Sequence, residues 1–516
     1  MFLKLISIIG SMTLISRVLG YARDLLIAKS LGAGLISDAF FIAFKLPNLF
    51  RRLFAEGSMN SAFIPVVSGI SAKYGKKKSD EFFSDIFSGL LVVLFAIMLI
   101  VEIFMPFIIN IIAPGFSENP EKFYLTVDFS RLTFPFVLFV CLTSLAGAYL
   151  NTLGKFASMA LTPIILNLTL IFTLIILLDD QDKIYISNNL SFSISIAGFL
   201  QMLWILFNLK LNGVKLKVKL FNISFFKKPK DETKRFLILL LPAVIGNGAY
   251  QLNLLIDMIL ASTLPDGSIS YLYYADRVNQ LPLGVLGIAI STALLPILSK
   301  QIKKREIKKA NESISNAIKF GIIFSIPSFF GILILSDEII SFLFYRGAFE
   351  LSDVNSTAMA LVALVFGLPA FIIIKILVVP YFANEDTKTP IKVSVFSMVI
   401  NLILNLILIK HFLHVGLAIA TSVAAWVNAF ILFYILILKK KYNFDITIYT
   451  ILLKALASSL IMSLMVSLII GMDLENSVFN LFQNKNLKLL LAIVFGASTY
   501  FSIIYVLGIK KLNFKH

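Results

Sequence analysis

Eight ionisable side chains crowd into two otherwise apolar stretches near the start of the chain: Arg17, Arg23, Asp24, Asp38, Lys45, Arg51, Arg52 and Glu56. Arginine stays charged at any accessible pH and presents a planar fork that matches two phosphate oxygens at once. Five bases against three acids leave an excess of positive charge. Part of the set can pair internally: Arg17 and Asp24 share one helix face, and so do Lys45, Arg52 and Glu56. The excess points to an anion site made by Arg17, Arg23, Arg51 and Arg52, with Asp24, Asp38 and Glu56 as pairing or gating partners. Arg277, which follows Asp276 much later in the chain, can add to the same site if its helix reaches it.

A second polar set carries oxygen rather than charge. Asp257 lies in an apolar segment beside Asn247, Gln251 and Asn253. Asn401 and Asn405 are four apart and share a helix face, and Thr421 follows on the next segment. Oxygen ligands suit a hard cation such as sodium. For the asparagines and the threonine, hydrogen bonding between helices explains the same pattern. Lys375 is a further charge in an apolar run, and a lysine whose stem lies on apolar surface while its head reaches water accounts for it. Little else is reactive. Cys141 stands alone, the histidines are His411, His414 and His516, and no Gly-x-x-x-x-Gly-Lys-Ser/Thr loop is present to bind ATP. No residue is assigned a catalytic role, and no cofactor is expected beyond a possible coupling sodium.

The elements that must carry these groups are membrane helices. The chain is 58% hydrophobic and 15% charged, with a mean hydropathy of +0.91. Soluble domains are less apolar and more charged. Runs such as Ile86 to Ile112 and Phe134 to Leu150 reach the length of about 20 apolar residues that crosses a bilayer, and they lack the alternation of a barrel strand. About fourteen spans can be drawn: 4–29, 38–70, 83–112, 124–150, 157–178, 188–209, 234–263, 269–299, 313–343, 353–382, 390–409, 415–438, 449–471 and 486–509. The first span has Arg17 and Arg23 after its apolar stretch and no small-residue cleavage site, so it reads as a span and not as a signal peptide.

A basic segment interrupts the spans after the sixth. The expected organisation is a six-helix lobe over 1–212, a basic cytoplasmic linker over 213–233, a second six-helix lobe over 234–440, and two added helices with a basic tail over 441–516. Sequence echoes support two lobes: Leu46-Pro47 with Leu281-Pro282, Ile64-Pro65 with Leu295-Pro296, and Tyr149 with Tyr381, all at nearly one offset. Parallel repeats of six spans predict pseudo-symmetry about an axis along the membrane normal, with a cavity between the lobes. The fold class expected is therefore all-α and polytopic.

A net charge of +17 invites a nucleic-acid partner, but its distribution argues against one. The bases gather in alternate loops: Lys73 to Lys78, Lys210 to Arg235, Lys300 to Lys309, Lys439 to Lys441, and Lys510 to Lys515. The intervening loops are poor in bases and carry acids, as at Glu118, Asp179, Asp266 and Asp473. The positive-inside rule then puts both termini in the cytoplasm. The linker is either a segment lying on anionic lipid or a solvated tether.

Two long motifs resemble a known family. Ser16-Arg17-Val18-Leu19-Gly20-Tyr21-Ala22-Arg23-Asp24, then Ser37-Asp38 through Pro47-Asn48-Leu49-Phe50-Arg51-Arg52-Leu53-Phe54-Ala55-Glu56-Gly57, are similar to the opening of the MurJ (MviN-type) lipid II flippases. Further likenesses are Ala113-Pro114-Gly115-Phe116, Tyr273-Tyr274-Ala275-Asp276-Arg277, Leu281-Pro282-Leu283-Gly284 and Asp386-Thr387-Lys388-Thr389-Pro390. Gly57-Ser58-Met59 departs from the family, which more often has Gly-Ala-Phe there. The resemblance implies a transporter of the multidrug/oligosaccharidyl-lipid/polysaccharide exporter superfamily, not an enzyme. It would sit in the bacterial inner membrane and move undecaprenyl-pyrophosphate-linked peptidoglycan precursor outward by alternating access. It places the family's cavity residues on Arg17, Arg23, Asp38, Arg51 and Arg277, with Glu56 as a gate partner. It also implies a lipid-tail groove on the last two helices, a sodium ion in some members, function as a monomer, and contact with the cell-wall synthesis machinery. The alternatives are a flippase for another polyprenyl-pyrophosphate-linked saccharide and, further off, a membrane glycosyltransferase.

Overall fold

Proline shapes this molecule because each ring removes one N–H from a helix and frees the carbonyl four residues earlier. In a bilayer that carbonyl needs a partner from a neighbouring helix. The computed structural model describes residues 2–52, 58–219, 231–439, 441–471 and 485–509, and it is helical almost throughout. Pro47 frees the carbonyl of Ala43, and the Thr133 hydroxyl donates to it at 2.9 Å. Pro327 frees the carbonyl of Ile323, which the buried Tyr500 hydroxyl takes at 2.6 Å. Where Pro369 breaks a span, Ser422 donates to Ala363 O at 2.6 Å and Trp426 Nε1 to Phe366 O at 2.8 Å.

The chain divides into two units, Met1–Ser270 with Arg346–Phe349, and Tyr271–Tyr345 with Glu350–His516. The first holds α1 (Phe2–Leu31), α2 (Leu35–Phe50), α3 (Ser58–Ile103), α4 (Met105–Ile112), α5 (Pro120–Thr133), α6 (Phe136–Thr152), α7 (Ala157–Ala160), α8 (Thr162–Ile176), α9 (Lys183–Leu211) and α10 (Asp231–Ser262). In this unit α6 packs between α3 and α9, α2 lies on α5, α8 joins α1 to α9, and α10 lies along α3. By packing, therefore, the seventh predicted span sits with the six before it.

The second unit takes most of α11 (Ser268–Pro282), then a π-turn (Leu283–Gly287), α12 (Ile288–Lys303), α13 (Ile307–Ile334), α14 (Ser336–Phe344), α15 (Leu351–Val365), α16 (Leu368–Ala383), α17 (Lys388–Leu438), α18 (Thr447–Gly471) and α19 (Lys485–Val506). Its core gathers Leu298, Leu368, Ile372, Ile376, Tyr381 and Leu436 around α13, and α18 and α19 pack on α13 through Met462, Val466 and Tyr500.

Nine helices among the described residues are long and apolar enough to cross a bilayer, or ten if α15 and α16 count as one bent span. Two of them, Met59–Ile103 at 45 residues and Lys388–Leu438 at 51, are about twice the length one crossing needs. Each breaks internally, α3 at Gly75 (φ 79) and α17 at Leu413 (φ 51). α17 thus carries the two predicted spans 390–409 and 415–438, α3 carries the end of 38–70 and most of 83–112, and each of the fourteen predicted spans is largely helical over its described residues. Residues 53–57, with Glu56, lie outside them.

Candidate functional site

In the first unit, α1 positions the charges that the sequence singles out. Arg23 and Asp24 are buried, with side chains 6% and 3% exposed. Arg23 Nε and Nη2 both donate to Asp24 Oδ1, at 3.0 and 2.7 Å, and Nη1 donates to Asn167 Oδ1 at 3.0 Å. The guanidinium also lies 5.2 Å from the centre of the Phe44 ring. Asn167 is held from behind, its amide donating to Ser16 O at 2.9 Å. Gly20 faces it, and a Cβ there would make only ordinary contact, 3.5 Å from Asn167 Nδ2. Face-sharing pointed to Arg17 as the partner of Asp24, but the adjacent Arg23 takes that carboxylate. Arg17 is exposed; Lys45, Arg51 and Arg52 are half-buried. Arg51 Nε donates to Asn48 Oδ1 at 3.2 Å. Arg23 thus has its guanidinium engaged on all three nitrogens by local partners, while Arg17, Arg51 and Arg52 keep more open surface.

Asp38, expected as a gating residue, is fully buried near the start of α2 and accepts four hydrogen bonds. They come from Lys122 Nζ at 3.0 Å, the Gly267 N–H at 2.8 Å, the Ser270 N–H at 2.9 Å and the Ser270 hydroxyl at 2.7 Å. Lys122 also reaches Asp266 at 2.7 Å and lies 4.1 Å from the Phe116 ring centre. A carboxylate can be buried so deeply only when its charge and lone pairs are met in this way. Close packing supports the same end of the unit: a Cβ on Gly115 would fall 2.3 Å from Ser262 O. Sequence reasoning missed Lys122 and Asn167. Asn167 was the more legible, as an amide alone in an apolar run, whereas Lys122 stands next to Glu121 in what reads as a loop.

In the second unit, Arg277 is half-buried on α11, and its Nη2 donates to the Tyr273 hydroxyl at 2.9 Å across the ring of that tyrosine. Asn401, Asn405 and Thr421 do come together: Asn405 Nδ2 donates to Asn401 Oδ1 at 3.1 Å and Asn401 Nδ2 to Thr421 Oγ1 at 3.5 Å. Asp257 belongs to the first unit, where Asn253 Nδ2 donates to its Oδ2 at 3.2 Å. The side-chain oxygens are of the kind a hard cation takes, and those of Asp257, Asn401 and Thr421 already serve hydrogen bonds. Lys375 is exposed on α16.

Known proteins match this chain along most of its length. A family model described as lipid II flippase MurJ matches residues 27–487. The probable lipid II flippase MurJ of Rickettsia prowazekii is 42% identical over 396 residues, covering 76% of this chain and 75% of that one. Its namesake in Buchnera aphidicola of Acyrthosiphon pisum is 34% identical over 517 residues, covering 99% and 98%. Among solved structures, a lipid II flippase MurJ in an inward closed conformation superposes with a TM-score of 0.80 at 30% identity, over 97% of this chain and 98% of that chain. A multidrug resistance MATE family transporter of the MOP superfamily in an inward-facing conformation has a TM-score of 0.67 at 14% identity over 84% of this chain and 97% of its own, a likeness of fold alone. With a model matched over most of its length and a relative this similar, the chain belongs to the MurJ family of lipid II flippases.

Proposed function

We propose that this protein carries lipid II from the inner to the outer leaflet of the bacterial cytoplasmic membrane by alternating access, with both termini in the cytoplasm. Family membership along residues 27–487 carries the reading. The basic excess on the first two spans supports the part of it that concerns the pyrophosphate. Arg17, Arg51, Arg52 and Arg277 keep exposed or half-buried guanidinium surface, suited to phosphate oxygens. Arg23 takes part by exchanging Asp24 for the ligand, with Asn167 holding its third nitrogen in place. The two six-span lobes of the repeat alternate around the cavity, Asp38 and Glu56 act in its gating, and the last two helices guide the lipid tail. Asp257, Asn401, Asn405 and Thr421 are the oxygen donors proposed for a sodium ion that resets the cycle. The protein works as a monomer, beside the machinery that polymerises its product.

The experiment is outer-leaflet exposure of lipid II in cells that depend on this chain. Wild type is compared with Arg17→Ala, Arg23→Ala and Arg277→Ala at matched expression. Wild type exposes lipid II, and each substitution reduces exposure at least tenfold, since one charge-assisted contact is worth about 1.5–3 kcal/mol. Absence of exposure by wild type overturns the substrate and favours another polyprenyl-pyrophosphate-linked saccharide. Normal exposure by all three variants makes the arginines structural.

A further inference from the structure

The chain leaving α9 does something the spans do not require. A Gly213 turn (φ 66) ends the helix, and residues 214–219 then run extended along the second half of α3. Val214 among them is buried, and every second backbone N–H docks on the helix: the Lys215 N–H donates to Asp80 Oδ2 at 3.4 Å, the Lys217 N–H to Ser84 Oγ at 3.1 Å, and the Lys219 N–H to Ser88 Oγ at 2.9 Å. The register is geometric. Four helical residues rise about 6.0 Å and two extended residues about 6.6 Å, so acceptors at every fourth helix position match donors at every second strand position. Each serine stays oriented because its own hydroxyl donates back along the helix, Ser84 to Asp80 O at 2.8 Å and Ser88 to Ser84 O at 2.7 Å. Asp80 is fixed in turn by the Tyr149 hydroxyl.

Because these docking bonds come from the backbone, the three lysine side chains are left out of them, and all three are exposed. Lys219 is 61% exposed, and its ammonium is 3.9 Å from Asp85. From Asp80 to Ser88 the strap follows α3 for about 12 Å, from the basic turn at Lys76 to Lys78 into the apolar span. On the orientation that the charge asymmetry gives, it descends from the cytoplasm into the headgroup layer of the inner leaflet. The exposed Lys73, Lys76 and Lys77 lie at its upper end, where Lys76 Nζ donates to Asn212 O at 3.1 Å.

We propose that Lys215, Lys217 and Lys219 form a register-locked comb that binds anionic glycerophospholipid headgroups of the cytoplasmic leaflet. Lysine suits this role as a compact charge that needs no fixed ligand geometry. The row descends through the depth where lipid phosphates lie, whereas a comb for a soluble acidic partner would rise away from the bilayer. The site is separate from the arginines proposed to hold substrate, and it does not rest on the identity of that substrate.

The test uses the full chain, delipidated in detergent and titrated with a fluorescent phosphatidylglycerol or with a phosphatidylcholine of the same chains. Wild type prefers the anionic lipid, and salt weakens the preference. Changing Lys215, Lys217 and Lys219 together to Gln weakens phosphatidylglycerol binding on the order of a hundredfold, since each lysine near an anionic surface contributes about fivefold. The same change at Lys300, Lys303 and Lys304, an equally exposed basic group in the second unit, leaves most of the binding intact. The pair Ser84→Ala and Ser88→Ala removes no charge but frees the strap, and it weakens binding several-fold. Equal binding of both lipids, or wild-type binding by the strap triple, overturns the proposal. Equal losses from the two triples reduce it to general basicity, and an unaffected serine pair removes the register.

Discussion

At the scale of single residues, the chain solves one problem twice: how to keep a charge inside a membrane protein. An arginine or aspartate at the centre of a span costs about 2.5–3.5 kcal/mol on insertion scales, so each needs a local answer. Arg23 answers with Asp24, Asn167 and Phe44, and Asp38 with Lys122 and three donors from the 267–270 turn. Such pairs are expensive to halve and cheaper to remove whole. Lys122→Met alone strands a fully buried carboxylate and lowers stability by about 3–5 kcal/mol. Adding Asp38→Asn restores a large part of that loss. Thermal unfolding of the two singles and the double in detergent measures the coupling, and additive losses would show that the pair is not coupled. Neither Lys122 nor Asn167 could be assigned from the sequence, because their partners stand 84 and 144 residues away.

At the scale of elements, short loops are tied by ionic knots. Between α16 and α17, Asp386 accepts from the Thr389 N–H at 3.1 Å, the Thr389 hydroxyl at 2.9 Å, and both Lys439 and Lys441 at 3.1 Å. Burial alone would push this carboxyl up. The hydrogen bonds from Thr389, Lys441 and Lys439 together outweigh burial and hold it well below the usual carboxylate range. A depressed folded-state value means that the knot stabilises the fold fully above the unfolded value, near 4, and that this contribution is lost as pH falls through the lower folded value. Asp386→Asn therefore lowers stability by about 1–2 kcal/mol at neutral pH. Below pH about 3 the difference from wild type shrinks. Unfolding temperatures against pH read this directly, and a pH-independent difference would contradict it. The Asp386-Thr387-Lys388-Thr389-Pro390 motif was visible in the sequence, but its closing partners come from the far end of α17, which local pattern does not reach.

At the scale of the whole molecule, the question is what drives the cycle. Asp257 on α10 is the ionisable member of the proposed sodium set. Sodium-dependent transport in proteoliposomes should then fall at least tenfold in Asp257→Asn while lipid II binding persists, as loss of one ionic oxygen ligand implies. Transport indifferent to sodium, to a proton gradient and to this substitution would remove ion coupling at Asp257. The sequence by itself determined the membrane class, the helical spans, the crowding of arginines and the family, because each is a property of composition, period or contiguous motif. It separated the spans that meet at Gly75 and Leu413, but it could not say that a single non-helical residue is all that divides them. Nor could it say that the seventh span packs beside the first six, that Arg23 rather than Arg17 holds Asp24, or that Ser84 and Ser88 dock the strap. Those outcomes depend on which freed carbonyl, buried charge or hydroxyl meets which distant partner, and only the packed helices decide that.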